Sequence, residues 1–271
     1  MQTSPPTKAT KPHRRKVKVV DEIIETLRQD IVTRRLADGE RLPSEKELSD
    51  RFGVSQPTAR EAIRALETLG LVEVFHGSGS FVRSQGDYAL ASALQTLLQL
   101  ERVGIMDVLN VRQVLGRHSI EEAASSATDE DIAAITLACT RFEALSDVKE
   151  VEDVIAVIIG FQRAVSAASH NPLLYSLEMF LLALLNEVQV DSLPARGARF
   201  WRARALSFQS HRVAILEGLK SGDPLKARQA MDRYFEAQHA RFDQDDNLRA
   251  LNLSSPSMIN VVANMVRHIK A

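Results

Sequence analysis

The chain has 271 residues, of which 45% are apolar and 25% are charged, a composition typical of soluble globular proteins with one or two domains. Its single cysteine, Cys139, excludes an internal disulfide framework and fits a reducing compartment. The sequence has no run of about 18 uninterrupted apolar residues and no apolar signal core at its start, so we expect a cytoplasmic protein without a membrane span.

Charged side chains are unevenly distributed, although the formal net charge is only −1. Residues 1–83 carry 15 Lys and Arg against 12 Asp and Glu, a net charge of +3, which leaves −4 for the remainder. The first 20 residues hold six basic side chains and no acidic one. We predict a flexible basic arm over residues 1–18, which suits contact with nucleic-acid phosphates; a solvated tail without a partner is the alternative for this segment.

Three short helices are predicted next, from apolar residues that recur at helical spacing over residues 20–36, 44–52 and 55–69. Ser44 and Glu47 have the spacing of a capping box and begin the second helix. Ser55 can cap the third helix, and Pro57 lies in its first turn, where the missing N–H costs little.

Two short strand-like runs, residues 71–75 and 80–82, follow the third helix. They are joined by His76-Gly77-Ser78-Gly79, whose glycines permit a tight hairpin tip. Three helices and a small β-hairpin within residues 19–83 predict a winged helix-turn-helix, in which the third helix enters the major groove of DNA.

The elements predicted beyond residue 84 are all helical. Helices are expected over residues 88–100, 105–127, 129–144, 150–169, 173–190, 195–220 and 224–243. The chain is therefore predicted to be mainly α, with an all-helical bundle over residues 84–245 behind the winged helix. Residues 246–271 are predicted to form a C-terminal extension with one last amphipathic helix.

Five motifs follow one another between residues 39 and 82: LPSE, GVS, REAI, LETLGLV and HGSGSFV. Together they closely resemble the winged-helix domain of the GntR family of bacterial regulators. The resemblance implies a transcriptional regulator that binds double-stranded DNA, and we expect a repressor. Because a two-fold protein matches a palindromic site, we also expect a homodimer on a short inverted repeat.

The third predicted helix has two different faces. Its apolar stripe consists of Ala59, Ala62, Ile63, Leu66 and Leu69. Gln56, Arg60 and Arg64 lie four residues apart on another face, and arginine and glutamine can bond guanine and adenine bidentately. The resemblance implies that DNA contacts extend to the second helix and the hairpin. Many relatives carry arginine at the position of Gln56, so this protein is not expected to bind the operator sequence that is usual in the family. The predicted DNA-binding set is Lys46, Gln56, Thr58, Arg60, Arg64, His76 and Gly77.

Each of these assignments has a structural alternative. Arg60 can instead be a surface ion-pair partner of an acid such as Glu61 or Glu67. Lys46 looks the same on any exposed helix, and His76 can be an ordinary turn residue.

Three later stretches, MDVLNVRQVL, GFQRAVSAASHNPLL and HRVAILEGLKSGDPLKARQAMDRYF, are similar to the FCD ligand domain, which defines the FadR-like branch of the same family. Many members of that branch hold a divalent metal with one aspartate and three histidines. The corresponding positions here are Ile158, Gln162, Arg212 and Tyr234, with His211 one residue away. Isoleucine has no lone pair and a guanidinium repels a cation. We therefore predict no metal and no cofactor at this place.

The same region suggests an anion site. Arg112 matches an arginine that often faces the ligand cavity in relatives, and Arg212 and Tyr234 stand where metal and anion normally meet. We predict that arginine replaces the charge of the metal and that Arg112, Gln162, Arg212 and Tyr234 bind a small anionic effector such as a carboxylate. The alternative is a salt-bridged Arg212 in a cavity that is packed shut.

No catalytic motif of the P-loop, GxGxxG, HExxH, GxSxG or CxxC type is present, so we predict that the protein is not an enzyme. Two other functions remain open at this point: a constitutive or architectural DNA-binding protein whose bundle only dimerises, and a sensor of a larger ligand such as an acyl-CoA.

Overall fold

The computed structural model describes residues 12–75, 77–83, 86–192, 196–255 and 258, with side chains described from residue 18 onwards except at 86–89 and 92. The chain divides between residues 89 and 90 into two compact units. The first unit contains three helices and a β-hairpin: α1 (Pro12–Val32), α2 (Glu45–Phe52), α3 (Gln56–Thr68), β1 (Val72–Phe75) and β2 (Gly79–Val82). The predicted winged helix-turn-helix is confirmed.

The two ends of α2 are closed by local sequence signals. The Ser44 hydroxyl accepts a hydrogen bond from the backbone N–H of Glu47 at 3.2 Å, and the Glu47 carboxylate accepts one from the backbone N–H of Ser44 at 2.7 Å. Gly53 ends the helix in the left-handed conformation, with φ 62°. The predicted capping box is confirmed.

The antiparallel hairpin β1–β2 is tied back to the segment that precedes α2. Leu42 donates its backbone N–H to the carbonyl of Ser80 at 2.8 Å, and Val82 donates to the carbonyl of Glu40 at 2.7 Å. Gly79, with φ 108°, lies so close to Arg41 that an added Cβ would be 2.8 Å from the guanidinium Nε. The positive φ favours glycine at this position, and the backbone hydrogen bonds of Leu42 and Val82 hold the wing beside the preceding segment.

The second unit is helical throughout its described part, apart from an isolated bridge between Gly104 and Asn252. Its α-helices are α4 (Gly86–Leu100), α5 (Ile105–Ser126), α6 (Asp129–Thr140), α7 (Val151–Ala167), α8 (Pro172–Ser192), α9 (Ala198–Leu206), α10 (Gln209–Lys220), α11 (Pro224–Asp243) and α12 (Asp246–Arg249), with a 3₁₀ turn at Glu143–Asp147. The mainly α fold class is confirmed.

Close helix packing in the second unit depends on small residues. An added Cβ on Gly218 of α10 would lie 2.8 Å from the Cα of Ala227 in α11, and one on Gly116 of α5 would lie 2.8 Å from the Phe235 ring. The sequence pattern of small residues at these crossings lets α11 approach both α5 and α10. This packing brings side chains from four helices to one interior region.

Three predicted helices differ from those observed. The first, expected over 20–36, is α1 at Pro12–Val32, so residues 12–18 are helical and the prediction of a flexible arm is wrong for them. The single helix expected over 195–220 is two helices, because the chain turns at Ser207 and Phe208. The Arg212 Nη1 donates to the carbonyl of Ala205 at 2.7 Å, which adds a second donor to a carbonyl that the backbone N–H of Phe208 reaches at 3.3 Å. The helix expected over 129–144 ends at Thr140 and is followed by the 3₁₀ turn.

The C-terminal extension is described only in part. Within residues 246–258, α12 is a single turn capped by the side chain of Asp245. The last amphipathic helix predicted for 246–271 falls mainly on residues outside the described part of the chain.

Helix α8 is long and apolar enough, by length and composition alone, to cross a membrane: its 18-residue window has a mean hydropathy of 1.4. Half of that window is buried inside the unit, as in the core helix of a soluble protein. Buried Glu178, Asn186 and Gln189 on this helix hydrogen-bond within the bundle.

Candidate nucleic-acid interface and ligand cavity

Helix α3 presents an exposed polar row opposite a fully buried apolar face. Ala59, Ala62 and Leu66 have no exposed surface, whereas Gln56, Arg60 and Arg64 are exposed. The separation follows from helical geometry, since residues four apart share one face. The structure thus places these three residues of the predicted DNA-binding set together, on the surface of the first unit.

Arg60 is held in place by Glu45, the first residue of α2. Its Nε donates to Oε1 of Glu45 at 2.8 Å and its Nη2 donates to Oε2 at 2.7 Å. These hydrogen bonds are the main reason that the pKa of Glu45 is lowered. The ion-pair alternative for Arg60 is therefore observed, but with Glu45 and not with either of the acids expected from the sequence.

This pair leaves part of the guanidinium free. Arginine has five N–H donors, and the bonds to Glu45 use one on Nε and one on Nη2. The edge formed by Nη1 and Nη2 retains the two parallel donors that bidentate recognition of a guanine requires. Because the side chain of Arg60 is still 52% exposed, this edge is accessible to a partner. Glu45 is a positioning residue that the sequence analysis missed, and its place in the motif LPSE was the available signal.

A groove of about 700 Å³ lies between α3 and the wing. Three arginines line it: Arg41 from the segment before α2, and Arg60 and Arg64 from α3. Gly77 and Gly79 line its opposite side, where the missing side chains leave backbone accessible. The groove is open, Glu45 and Glu67 also line it, and Arg60, Arg64 and Gly77 of the predicted DNA-binding set border it.

The remaining members of the DNA-binding set differ in position. Lys46 and Gly77 are exposed, whereas His76 lies outside the described residues. Thr58 is only 4% exposed, and its hydroxyl is 2.9 Å from the Ser55 hydroxyl. A direct contact between the Thr58 side chain and DNA is inconsistent with this structure, because the side chain is buried and its hydroxyl is already hydrogen-bonded.

The apolar stripe of α3 differs from the prediction at one residue. Leu69, predicted within the buried stripe, is 47% exposed because α3 ends before it.

In the second unit, three of the predicted effector residues form one buried hydrogen-bonded chain. Arg112 Nη2 donates to Gln162 Oε1 at 3.0 Å, and Gln162 Nε2 donates to the Tyr234 hydroxyl at 2.9 Å. The Arg112 guanidinium lies over the Phe235 ring, and its Nε is buried without a hydrogen-bond partner. Burial lowers the pKa of Arg112, and the nearby Tyr234 and Glu178 oppose that change.

The fourth predicted residue, Arg212, is also buried, at 2% exposure. Besides the bond to Ala205, its Nη1 donates to Gln209 at 3.4 Å, and its guanidinium lies 3.7 Å from the centre of the Phe142 ring. Its surroundings are apolar and amide, so desolvation lowers its pKa. No carboxylate within the described residues forms a salt bridge with Arg212, contrary to the salt-bridged alternative.

A small cavity of about 50 Å³ lies beside Arg112 and Arg212. It is also lined by Ile158, but Gln162 and Tyr234 do not line it; they support Arg112 from behind. An apolar cavity of about 150 Å³ is needed to hold benzene, so this cavity has room only for a few water molecules. The alternative of a largely closed cavity describes this conformation.

Two further arginines line the cavity and were not expected. Arg204 of α9 and Arg241 of α11 face the same space as Arg112 and Arg212. Arg204 donates to Gln189 and lies over the rings of Trp201 and Phe242. Burial is the main reason that the pKa of Arg204 falls to about 10. The signal in the sequence was the run RFWRARAL, where arginines alternate with aromatic residues otherwise typical of a core.

The residues at the positions of the family's metal ligands do not fit a divalent cation. Ile158 and Arg212 line the cavity, and Gln162 is committed to Arg112 and Tyr234. His211, the nearest imidazole in sequence, packs on Phe208 and has a buried Nδ1 without a partner. Among the described residues, no group of three or more His, Cys, Asp or Glu is arranged to hold a metal.

The fold of the chain and the exposed row on α3 together define the class of protein: a DNA-binding transcription regulator with a helical effector domain. Residues 19–82 match the family described as bacterial regulatory proteins, gntR family, and residues 107–237 match the FCD domain. The chain belongs to the GntR family, in the branch that carries an FCD domain.

Named relatives and solved structures agree with this assignment. The chain is 28% identical over 228 residues to "HTH-type transcriptional repressor NanR" of Cronobacter sakazakii, covering 82% of this chain and 85% of that protein. It is 29% identical to the protein of the same name from Salmonella schwarzengrund, covering 82% and 84%. The fold matches a solved structure of Streptococcus agalactiae GntR with a TM-score of 0.58 at 20% identity, covering 82% of this chain and 99% of that one.

Proposed function

We propose that this protein is an effector-controlled repressor that binds a short inverted-repeat operator as a homodimer and is released by a small anion without a metal. The observation that carries the DNA-binding part is the exposed row of Gln56, Arg60 and Arg64 on α3, beside the wing. Repression is proposed because the relatives that the chain matches over 82% of its length are named as repressors.

The proposed roles follow from the chemistry of each side chain. Arg60 and Gln56 read base edges in the major groove, and Lys46 and Arg64 bind phosphates, which positions the protein without reading sequence. Gly77, and His76 beside it, belong to the wing and contact the neighbouring groove. Two copies of the helix would then read two half-sites about one helical turn apart.

The proposed anion site rests on buried positive charge. Arg112 and Arg212 are both 2% exposed and line one cavity. A buried cation without a carboxylate partner is costly, so an anion that pairs with it gains more than it would at the surface. An anion that binds the conformation with low DNA affinity more tightly than the DNA-binding conformation shifts the population towards the former. This difference in anion affinity between the two conformations is enough to release the protein from the operator.

The domain limits that we propose are a DNA-binding domain over 19–83, an effector and dimerisation domain over 84–245 and an extension over 246–271. The basic segment 1–18 precedes the DNA-binding domain, and its residues 12–18 belong to α1. A cytoplasmic location is proposed from the DNA-binding function.

The operator and the dimer are tested together. Genomic fragments retarded by the protein at low salt should yield a protected inverted repeat on footprinting. The mass in solution should be about 60 kDa, twice the 30.1 kDa of one chain. A monomeric mass with an asymmetric footprint would contradict the proposal.

Base preference is tested by the substitution Gln56→Arg. Glutamine matches the N6 and N7 groups of adenine, whereas arginine matches the O6 and N7 groups of guanine. In a selection from random DNA we expect the base opposite residue 56 to change from adenine to guanine in both half-sites. The discrimination should amount to about 1–3 kcal/mol per half-site. An unchanged preference at each position would remove Gln56 from the base-reading set.

The second candidate is a constitutive DNA-binding protein whose bundle only dimerises. The cavity of about 50 Å³ favours it, since small-molecule sites usually measure about 300–1,000 Å³. The same volume disfavours an acyl-CoA in this conformation. A thermal-shift screen of small anions separates the two candidates, because a ligand that binds only the folded state raises the melting temperature.

A further inference from the structure

The cavity in the second unit is surrounded by more positive charge than one small anion requires. Four arginines line it, Arg112, Arg204, Arg212 and Arg241, and none of its lining residues in the described chain is acidic. Arginine remains protonated in proteins, so all four side chains are cationic. The four arginines belong to four different helices, α5, α9, α10 and α11. An ordinary protein core, in contrast, holds at most a single arginine that is paired with an acid.

Nearby acids compensate only part of this charge. Glu178 acts electrostatically on Arg112 and accepts a hydrogen bond from Ser166 at 2.5 Å. Asp245 acts on Arg204 and Arg241, and it also lies 3.9 Å from the exposed Arg196. Glu178 and Asp245 therefore offset part of the positive charge of the four guanidinium groups, and no acidic side chain lines the cavity in the described chain to balance the rest.

The hydrogen bonds of these arginines also leave donors available to a ligand. The Nε of Arg112 is buried without a partner. Arg241 makes no hydrogen bond or ion pair in the described part of the chain, and burial lowers its pKa. Arg204 contacts one amide oxygen, that of Gln189, and two aromatic rings. The Nε of Arg112 is a buried donor that lacks a partner, whereas the half-buried side chains of Arg204 and Arg241 have donors that a ligand can reach from the cavity.

We propose that the effector carries two negative charges, and that Arg204 and Arg241 bind the second of them while Arg112 and Arg212 bind the first. The proposal rests on the anion-sensing function proposed above and narrows its ligand to a dianion, either a dicarboxylate or a phosphate monoester. Arginine binds both groups bidentately, so they share one recognition chemistry. The ligand must enlarge the small cavity of about 50 Å³ to fit into it, and this requirement couples binding to a change in conformation.

The test uses the full chain and measures thermal unfolding and calorimetric binding at constant ionic strength. The probes are unbranched dicarboxylates of three to six carbons against their mono-amides, and methyl phosphate against the singly charged dimethyl phosphate. We expect at least one dianion to bind ten times more tightly than its partner of lower charge. The dicarboxylate and phosphate arms identify which source of the charge is recognised.

Matched variants locate the second charge. Arg204→Gln and Arg241→Gln should weaken binding of the dianion at least tenfold and bring it to the affinity of the mono-amide. Arg199→Gln in α9 and Arg233→Gln in α11 make the same change in charge on exposed residues of the same helices and should keep the preference.

Two results would overturn the proposal in different ways. If each dianion and its singly charged partner bind equally, and Arg204→Gln has no effect, the site recognises only one negative charge of the ligand. The anion-sensing function would still stand in that case, provided that Arg212→Met abolishes binding. Absence of binding by every probe would contradict both the dianion and the anion-sensing function, and would leave DNA binding as the established activity.

Discussion

Arg60→Ala is expected to abolish operator discrimination while leaving the fold and the dimer intact. The side chain is 52% exposed and packs into no core, so its loss should change stability by less than about 1 kcal/mol. A bidentate contact to guanine contributes about 1–3 kcal/mol, so we expect a loss of roughly 5- to 150-fold for each half-site. Titration of the operator and of a scrambled sequence at several salt concentrations measures the effect.

The salt dependence separates a base contact from a phosphate contact. If Arg60 reads a base, the variant loses affinity for the operator much more than for scrambled DNA, and the slope of affinity against salt hardly changes. If it binds a phosphate, both DNA sequences lose affinity equally and the slope falls by about one ion. An unchanged footprint and affinity would refute the assignment of α3 as the recognition helix.

Glu45→Gln is the matched control for this prediction. It keeps a side chain of the same size beside Arg60 but removes the charge that holds both donors on one edge of the guanidinium. Because the base-reading edge itself remains, we expect a smaller loss of discrimination than in Arg60→Ala. Equal losses in the two variants would mean that the ion pair, and not a base contact, is what Arg60 contributes.

Arg212→Met is expected to remove the response to the anion while preserving operator affinity in its absence. Methionine keeps a long side chain against Phe142, but it removes the charge and the bond to Ala205. Truncating one partner of a buried charge pair costs about 2–5 kcal/mol, so the anion should bind at least about 30-fold more weakly. The measurement is operator release by the tightest-binding dicarboxylate or phosphate from the ligand panel.

Stability provides the control for this second prediction. Arg212 is a desolvated cation without a carboxylate partner in the described chain, and replacing such a charge by an apolar residue is often neutral or stabilising. The melting temperature of Arg212→Met without ligand should therefore not fall by more than a few degrees. A variant that stays folded and still releases DNA in response to the anion would contradict the role of Arg212 in sensing.

Local sequence signals were sufficient to place α2, α3 and the hairpin of the first unit, but not the bounds of α1. The Ser44 and Glu47 capping box, the left-handed Gly53 and the 3.6-residue period of α3 act within one or two turns, so they can be recognised without the tertiary structure. The exposed row of Gln56, Arg60 and Arg64 follows from that period alone. The burial of Thr58 did not follow, because its hydroxyl is placed by the preceding Ser55 and by the packing of α3.

The sequence by itself determined the family and the order of the helices and strands. It also singled out Arg112 and Arg212, which are both buried in the second unit. Only the tertiary structure decided the break between α9 and α10, the partner of Arg60, and the approach of Arg204 and Arg241 to one closed cavity. Helical periodicity is a property of neighbouring residues, whereas a cavity is formed by side chains from helices far apart in the chain. Its volume and its surplus of charge depend on how those helices pack, which no local pattern specifies.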